Sequence, residues 1–157
     1  MTLAEHLHRS LSEWRPDAPG RQTLAVQTDA WTATVAADST DTVGCLAWEM
    51  TLDRTPPAPD GLTLKGWADG AAKRVSGLLE RLTVIEVDAT HDVATLRSDV
   101  PTERGDKAGF YEVTLHGTAR ATLARFQADK AEGGKRTRVP FAVTHEALAK
   151  VAGDIAG

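Results

Sequence analysis

The residues that could carry out catalysis or bind a metal are scattered along this chain of 157 residues. His6 and His8 lie two apart on a predicted helix, so their side chains point to different faces. His91 and His116 fall in predicted turns. Cys45 is the only cysteine, which excludes an intramolecular disulfide and a cysteine-based zinc cluster, and we interpret it as a small buried hydrophobe. We therefore predict no catalytic residue, no metal site and no cofactor.

Short catalytic motifs are also missing: there is no nucleotide-binding glycine loop, no nucleophile elbow and no zinc-protease helix. Glu86 and Asp88 alternate onto one strand face, but Arg97 lies diagonally across the predicted hairpin. Glu112 is placed in the same way against Arg120. Such charge pairs are typical of a solvated sheet face. The sequence favours a chain that is not an enzyme, although a triad assembled from distant residues would leave no local pattern.

Charge is distributed unevenly. The net charge is −4, yet residues 116–140 hold six Lys or Arg against two Asp or Glu, whereas residues 1–115 hold eleven against eighteen. From this basic segment we predict a possible interaction surface that comprises Arg120, Lys135, Arg136 and Arg138. Aromatic residues for base stacking are sparse, so nucleic acid is disfavoured as a partner. Phosphate-backbone binding by residues 120–138 remains a third alternative.

Three helices are predicted from apolar residues at helical spacing. Thr2 and Glu5 are spaced as a capping box ahead of a helix over residues 3–14. A second helix is predicted over residues 66–82, and Thr144 can cap a last one. A proline-rich connector, residues 54–61, precedes the second helix and joins two parts of one domain.

Alternating residues predict a three-strand meander in the first half of the chain. A two-residue turn at Asp29-Ala30 pairs residues 22–28 with residues 31–37 and sets Leu24 opposite Val35. The third strand covers residues 43–53. Its predicted apolar face comprises Leu46, Trp48, Met50 and Leu52.

Two hairpins are predicted in the second half. A turn at Thr90-His91 pairs Ile85 with Leu96. A three-residue loop at His116-Gly117-Thr118 pairs Val113 with Ala121.

A polar loop, residues 128–135, leads from the second hairpin to a strand over residues 136–142. Pro140 cannot donate a ladder hydrogen bond, which favours a sheet edge for this strand. In that strand Arg136 and Arg138 are expected to project into solvent.

Together these elements predict a single α+β domain over residues 1–157. Its predominantly antiparallel sheet has about seven to eight strands, and three helices pack on one face. The order of elements resembles that of small dimeric secretion chaperones and, less closely, that of helix-grip ligand binders. This resemblance concerns the fold alone, because none of the residues matches a motif of either family.

The leading functional hypothesis is a non-enzymatic, chaperone-like protein-interaction module whose partner is another protein or a second copy of the chain, as a homodimer. The alternative is a small-molecule-binding protein or an undetected enzyme, with a cleft between the sheet and helix 66–82 that Trp48 and Trp67 would line. No apolar run is long enough to span a bilayer and residues 1–20 lack a signal-peptide core, so we predict a cytoplasmic chain without membrane contact.

Overall fold

Ten antiparallel strands pair into one sheet in the computed structural model, which describes residues 1–131 and 135–157. Three helices pack on one of its faces, so the predicted α+β class is confirmed. The helices are α1 (Leu3–Glu13), α2 (Leu64–Arg74) and α3 (His145–Ala156). The strands are β1 (Gln22–Gln27), β2 (Trp31–Thr40), β3 (Gly44–Arg54), β4 (Leu82–Asp88), β5 (Val93–Ser98), β6 (Thr102–Arg104), β7 (Lys107–His116), β8 (Arg120–Asp129), β9 (Arg136–Val139) and β10 (Phe141–Thr144).

The sheet splits on one side, and the split is central to the functional argument. The main order of strands is β1-β2-β3-β8-β7-β5-β4. β3 and β8 pair only through Met50–Asp53 and Arg120–Leu123, and then diverge. β9 pairs with the continuing part of β8, and β10 pairs with the continuing part of β3. Pro140 joins β9 to β10, so the predicted single strand over residues 136–142 is two short strands.

The helices cover the core on one side of the sheet. α1 buries Leu3, Leu7 and Leu11, and its capping box is present as predicted. Across the core, the Trp67 ring on α2 donates a hydrogen bond of 2.8 Å from Nε1 to the carbonyl oxygen of Ile155. This bond satisfies the indole N–H, which would otherwise be buried without a partner. α2 and α3 are therefore held to each other as well as to the sheet.

The predicted helix over residues 66–82 is too long. α2 ends at Arg74, Val75 is its C-cap, and Gly77 has φ +97°. Such a left-handed conformation favours glycine and cannot continue a helix. The apolar residues after it, which include Leu78 and Leu82, contact the core from an irregular segment and from β4.

Both predicted hairpins exist, but their registers differ from prediction. A bulge in β4 sets Val84 opposite Leu96 and leaves Ile85 exposed. In the second hairpin, His116 pairs with Arg120 and three residues form the loop. The predicted partner of Val113 was therefore wrong by two positions: Val113 lies opposite Leu123 and not Ala121. Because the shift is an even number of residues, each side chain still lies on the predicted face of the sheet.

The first hairpin was predicted well, and β3 only in part. Leu24 lies opposite Val35, as expected. Along β3, however, a bulge between Ala47 and Glu49 reverses which alternate residues face the core. Ala47 and Met50 are therefore buried, whereas Trp48 is half-exposed on the helix-free face. The expected core position of Trp48 was wrong.

β8 extends to Asp129, so the polar loop predicted over residues 128–135 begins later than expected. Gly133-Gly134 of that predicted loop lie outside the described residues. Among the residues that the structure describes, no helix has the length and apolar character needed to cross a membrane.

Candidate functional site

A cavity of about 450 Å³ opens where the sheet splits, and we call it the fork cavity. Its walls come from residues 139–142 between β9 and β10, from the adjoining ends of β6, β7 and β8, and from Leu79 and Glu80 after α2. Tyr111 in the wall has the same strand parity as Val113, which is buried in the core. The cavity therefore lies on the helix-bearing face, beyond the part of the sheet that the helices cover.

An ion pair between the buried Glu80 and the partly buried Arg125 forms one side of this cavity. Arg125 Nη2 donates to Glu80 Oε2 over 3.1 Å, and the two side chains are 16% and 6% exposed. Ser98 donates a hydrogen bond of 2.6 Å to the other carboxylate oxygen of Glu80, and Thr102 donates to Oε2. The Ser98 oxygen in turn accepts the backbone N–H of Tyr111 over 2.8 Å. The carboxylate of Glu80 is thus tied to three neighbouring elements.

Local sequence explains how these groups meet. Gly77 turns the chain after α2, so Glu80 reaches the sheet just before β4 begins. Gly109 makes room for the arginine on the neighbouring strand: a Cβ on Gly109 would lie 2.6 Å from Arg125 Nη2. The guanidinium carbon of Arg125 also lies 4.5 Å from the centre of the Tyr111 ring, which meets the Phe141 ring edge to face at 5.5 Å.

The environment sets the charge state of the wall. Burial alone would raise the pKa of Glu80, but hydrogen bonds from Ser98, Thr102 and Arg125 outweigh burial and lower that pKa, so the carboxylate is ionised at neutral pH. Burial raises the pKa of Tyr111, against the opposing effect of Arg125, so its hydroxyl stays protonated. The cavity therefore presents a paired carboxylate, a guanidinium and a neutral phenol.

These groups can hold a ligand through charge and hydrogen bonds. The lining that the structure describes holds neither histidine nor cysteine, and the only carboxylate in it is already hydrogen-bonded to three donors. Arg104 and Lys107 add two further cations. The lining thus has three cationic side chains against one anionic side chain, with apolar surface from Phe141, Val139 and the fully exposed Leu79.

The opposite, helix-free face contains two of the four predicted interaction residues, in a cluster of ion pairs and rings. Arg136 Nη1 lies 2.6 Å from Glu112 Oε2, and Arg97 contacts the same oxygen at 3.0 Å. Glu112 is only 7% exposed. Arg136 also covers the Phe126 ring at 4.1 Å, and that ring stacks on Phe110 at 5.8 Å. Arg136 is exposed, as expected, but it is also paired with a buried carboxylate of the same chain.

Arg138 extends the same cluster toward β3. Its Nη2 donates to the carbonyl oxygen of Trp48 over 2.8 Å, and its Nη1 donates to Glu49 Oε1 over 3.3 Å. The guanidinium lies over the Trp48 ring at 4.6 Å, while Arg21 lies over that ring at 3.8 Å. We call this connected set of guanidinium groups and rings the arginine–aromatic ladder. Its members are Arg21, Trp48, Arg138, Phe126, Arg136, Phe110 and Arg97.

The other two predicted interaction residues lie elsewhere. Arg120 pairs with Asp53 at 2.6 Å, near the start of the split, and Lys135 is exposed just before β9. The four residues therefore do not form one patch. Their role as an interaction surface stays a prediction.

The sequence analysis did not identify Glu80 and Arg125, the ion pair in the wall of the fork cavity, as functional residues. Glu80 falls within the predicted helix over residues 66–82, and the sequence analysis gave no role to Arg125, which has the opposite strand parity to Arg120. That difference in parity was the available indication, since it places Arg125 on the helix-bearing face, where an arginine needs a partner. Trp48 and Trp67, which were expected to line a cleft, do not line this cavity.

A second depression, of about 600 Å³, lies at the end of the β2-β3 hairpin and is lined in part by Cys45. Burial raises the pKa of the Cys45 thiol to about 11, so the thiol is protonated and a poor nucleophile at neutral pH. Nearby, His145 is 1% exposed, and its Nε2 lies 3.1 Å from Thr40 Oγ1. Burial lowers the pKa of His145. No group of three metal-ligating side chains occurs within residues 1–131 and 135–157.

No family model, curated protein or solved structure matches this chain.

Proposed function

We propose that this chain is a binding protein for a small molecule that has an apolar body and an anionic group, and that the fork cavity is its site. The observation that carries the proposal is the buried pair of Glu80 and Arg125 on the wall of a cavity of about 450 Å³. Ligand sites are commonly apolar clefts of this size with a few well-placed polar groups. A buried ion pair is costly to desolvate, and fixing polar groups for a ligand would explain its place there.

Charge determines the class of ligand. Arg104 and Lys107 also line the cavity, and Lys107 Nζ lies 3.3 Å from Asp129 Oδ2, so the lining itself has more cationic than anionic side chains and would attract an anion. Arg125 Nη1 is buried and has no hydrogen-bond acceptor among the described residues, and an acidic group that reaches it would satisfy this donor. The Phe141 ring and the exposed Leu79 would contact the apolar part of the ligand.

Calorimetric titration with octanoate and with 1-octanol, at the same pH and salt concentration, tests this proposal. The two probes share an alkyl chain and differ in charge. We expect octanoate to bind at least about tenfold more tightly, which corresponds to roughly 1.4 kcal/mol. Replacing Arg104→Met together with Lys107→Met should weaken octanoate binding and leave octanol binding unchanged.

Matched control substitutions are Arg9→Met with Lys65→Met, which remove two exposed cations on α1 and α2. These changes should affect neither probe. Equal affinity for octanoate and octanol would contradict the anionic class, and absence of binding by both probes would contradict the site itself.

The protein-interaction hypothesis stays a prediction. Two residues of its proposed surface, Arg136 and Arg138, are engaged with Glu112 and Glu49 in the same chain. The same intramolecular pairs leave less positive charge available for a nucleic-acid backbone. A cytoplasmic location likewise stays a prediction from the sequence.

A further inference from the structure

The two outer strands of the sheet differ in how they are protected. β4, at one end of the strand order, carries Glu86 and Asp88 and contains a bulge. Charges and bulges on an outer strand prevent pairing with another chain. β1, at the other end, has the sequence QTLAVQ, without charge, proline or bulge. Of these two outer strands, β1 therefore lacks the usual protection.

The backbone of β1 presents hydrogen-bonding groups to solvent. Thr28 donates its N–H to the carbonyl oxygen of Trp31 over 2.7 Å, which closes the β1-β2 hairpin with a hydrogen-bonded pair. Because such pairs alternate along an antiparallel ladder, Thr23, Ala25 and Gln27 direct their N–H and C=O groups away from β2. Their side chains are exposed. Six backbone groups in a row are thus available to a further strand.

We propose that this further strand is β1 of a second copy, paired antiparallel about a two-fold axis through Ala25. In this register Ala25 meets Ala25 of the second copy, and Thr23 meets Gln27. The outward groups of these residues then form six hydrogen bonds. On the helix-bearing side, the partly buried Leu24 meets Val26. The strand is self-complementary: polar residues face polar residues and apolar residues face apolar ones.

The flanking charges agree with the same register. Arg21 immediately precedes β1, and Asp29 lies in the turn that follows it. Pairing about Ala25 sets Asp29 of one copy near Arg21 of the other at both ends of the interface, where it would join the pair that Arg21 makes with Asp38 of its own chain at 2.7 Å. A two-fold axis perpendicular to the sheet also keeps the helices of both copies on one side. The product is a continuous sheet of twenty strands with six helices.

Sedimentation velocity over roughly 1–100 µM protein tests this dimer, because a strand pair of this length is a small interface. We expect a reversible monomer–dimer equilibrium in that range. Ala25→Lys sets two ammonium groups side by side at the axis and should weaken association at least about tenfold. Ile85→Lys adds the same charge on β4 and should leave association unchanged. A wild-type protein that is monomeric throughout, or equal effects of the two substitutions, would overturn the proposal.

Disulfide trapping in a Cys45→Ala background tests the register and does not depend on the lysine variant. Ala25→Cys sets two thiols in a hydrogen-bonded pair, where Cα atoms lie about 5.5 Å apart, within the range of a disulfide. Thr23→Cys sets its thiols about 14 Å apart, four residues out of register. Mild oxidation should link the first variant into a dimer and leave the second unlinked. Equal linkage of both, or of neither, would refute this register.

Discussion

Arg125→Met tests whether the wall of the fork cavity is held by its ion pair. Methionine keeps much of the apolar stem of arginine and removes the charge, so Glu80 would remain in place at 6% exposure without its cationic partner. Breaking a buried pair by removing one partner typically costs about 3–5 kcal/mol. Ser98 and Thr102 still donate to the carboxylate, which places the expected cost near the lower limit, at about 3 kcal/mol.

The pH dependence of that cost identifies its cause. In the native protein the pKa of Glu80 is lowered, so its contribution to stability is present above the unfolded pKa and is lost as pH falls through the folded pKa. Without Arg125, burial opposes only two hydroxyl donors, and the pKa of Glu80 in the folded variant should rise. The folded variant would then take up a proton more readily than its unfolded chain, and the penalty should shrink between pH 7 and pH 5.

Urea unfolding at pH 7 and pH 5 measures both quantities, and Glu80→Gln with Arg125→Met completes a double-mutant cycle. The double variant should be less destabilised than the sum of the two single variants. Arg120→Met, at an exposed pair with Asp53, is the matched control and should cost less than about 1 kcal/mol. A penalty for Arg125→Met below about 1 kcal/mol, or one that is equal at both pH values, would refute the reasoning.

Further predictions concern the ladder and the second depression. Trp48→Ala should lower the free energy of unfolding by about 1–2 kcal/mol, because the Trp48 ring is half-exposed. Trp67→Ala should lower it by about 3–5 kcal/mol, because the Trp67 ring is buried. Equal losses for the two variants in urea unfolding would contradict the switch of faces along β3. Arg136→Glu with Arg138→Glu should lower the melting temperature by several degrees, because it sets new carboxylates beside existing ones, and an unchanged temperature would show that the pairs contribute nothing. The pKa of His145 is lowered by burial, so the unfolded chain binds a proton where the folded chain does not, and stability should fall as pH decreases below about 6.5. His145→Gln should reduce that dependence between pH 7.5 and pH 5.5; identical slopes would exclude His145 as its source.

Periodicity predicted the elements whose apolar residues repeat without interruption. The α1 helix has its capping residues and apolar stripe in the expected places, and the β1-β2 hairpin has the predicted register. In both cases a local interaction of known geometry, a cap or a two-residue turn, agrees with the burial pattern. These predictions succeeded because the local interaction and the burial pattern specify the same structure.

The bulges and the split in the sheet could not be predicted from the sequence, because they depend on contacts between distant residues. One extra residue in β3 moves Trp48 to the other face, and one in β4 exposes Ile85, yet neither change leaves a local pattern. The fork cavity depends on the divergence of β3 from β8, which the alternation of either strand does not encode. Glu80 was placed on a helix because Leu78 and Leu82 keep helical spacing across Gly77.

The arginine–aromatic ladder gives a two-layer protein a thin third layer. A sheet with helices on one face leaves its other face in water, and aromatic rings there would be adhesive toward other molecules. Planar, weakly hydrated guanidinium groups lie over the Trp48 and Phe126 rings, and their pairs with carboxylates give the face a polar surface. Lysine would cover the rings less well, because an ammonium group is more strongly hydrated and more compact than a guanidinium group. This face is consequently polar, and the proposed pairing at β1 would extend the sheet without covering it.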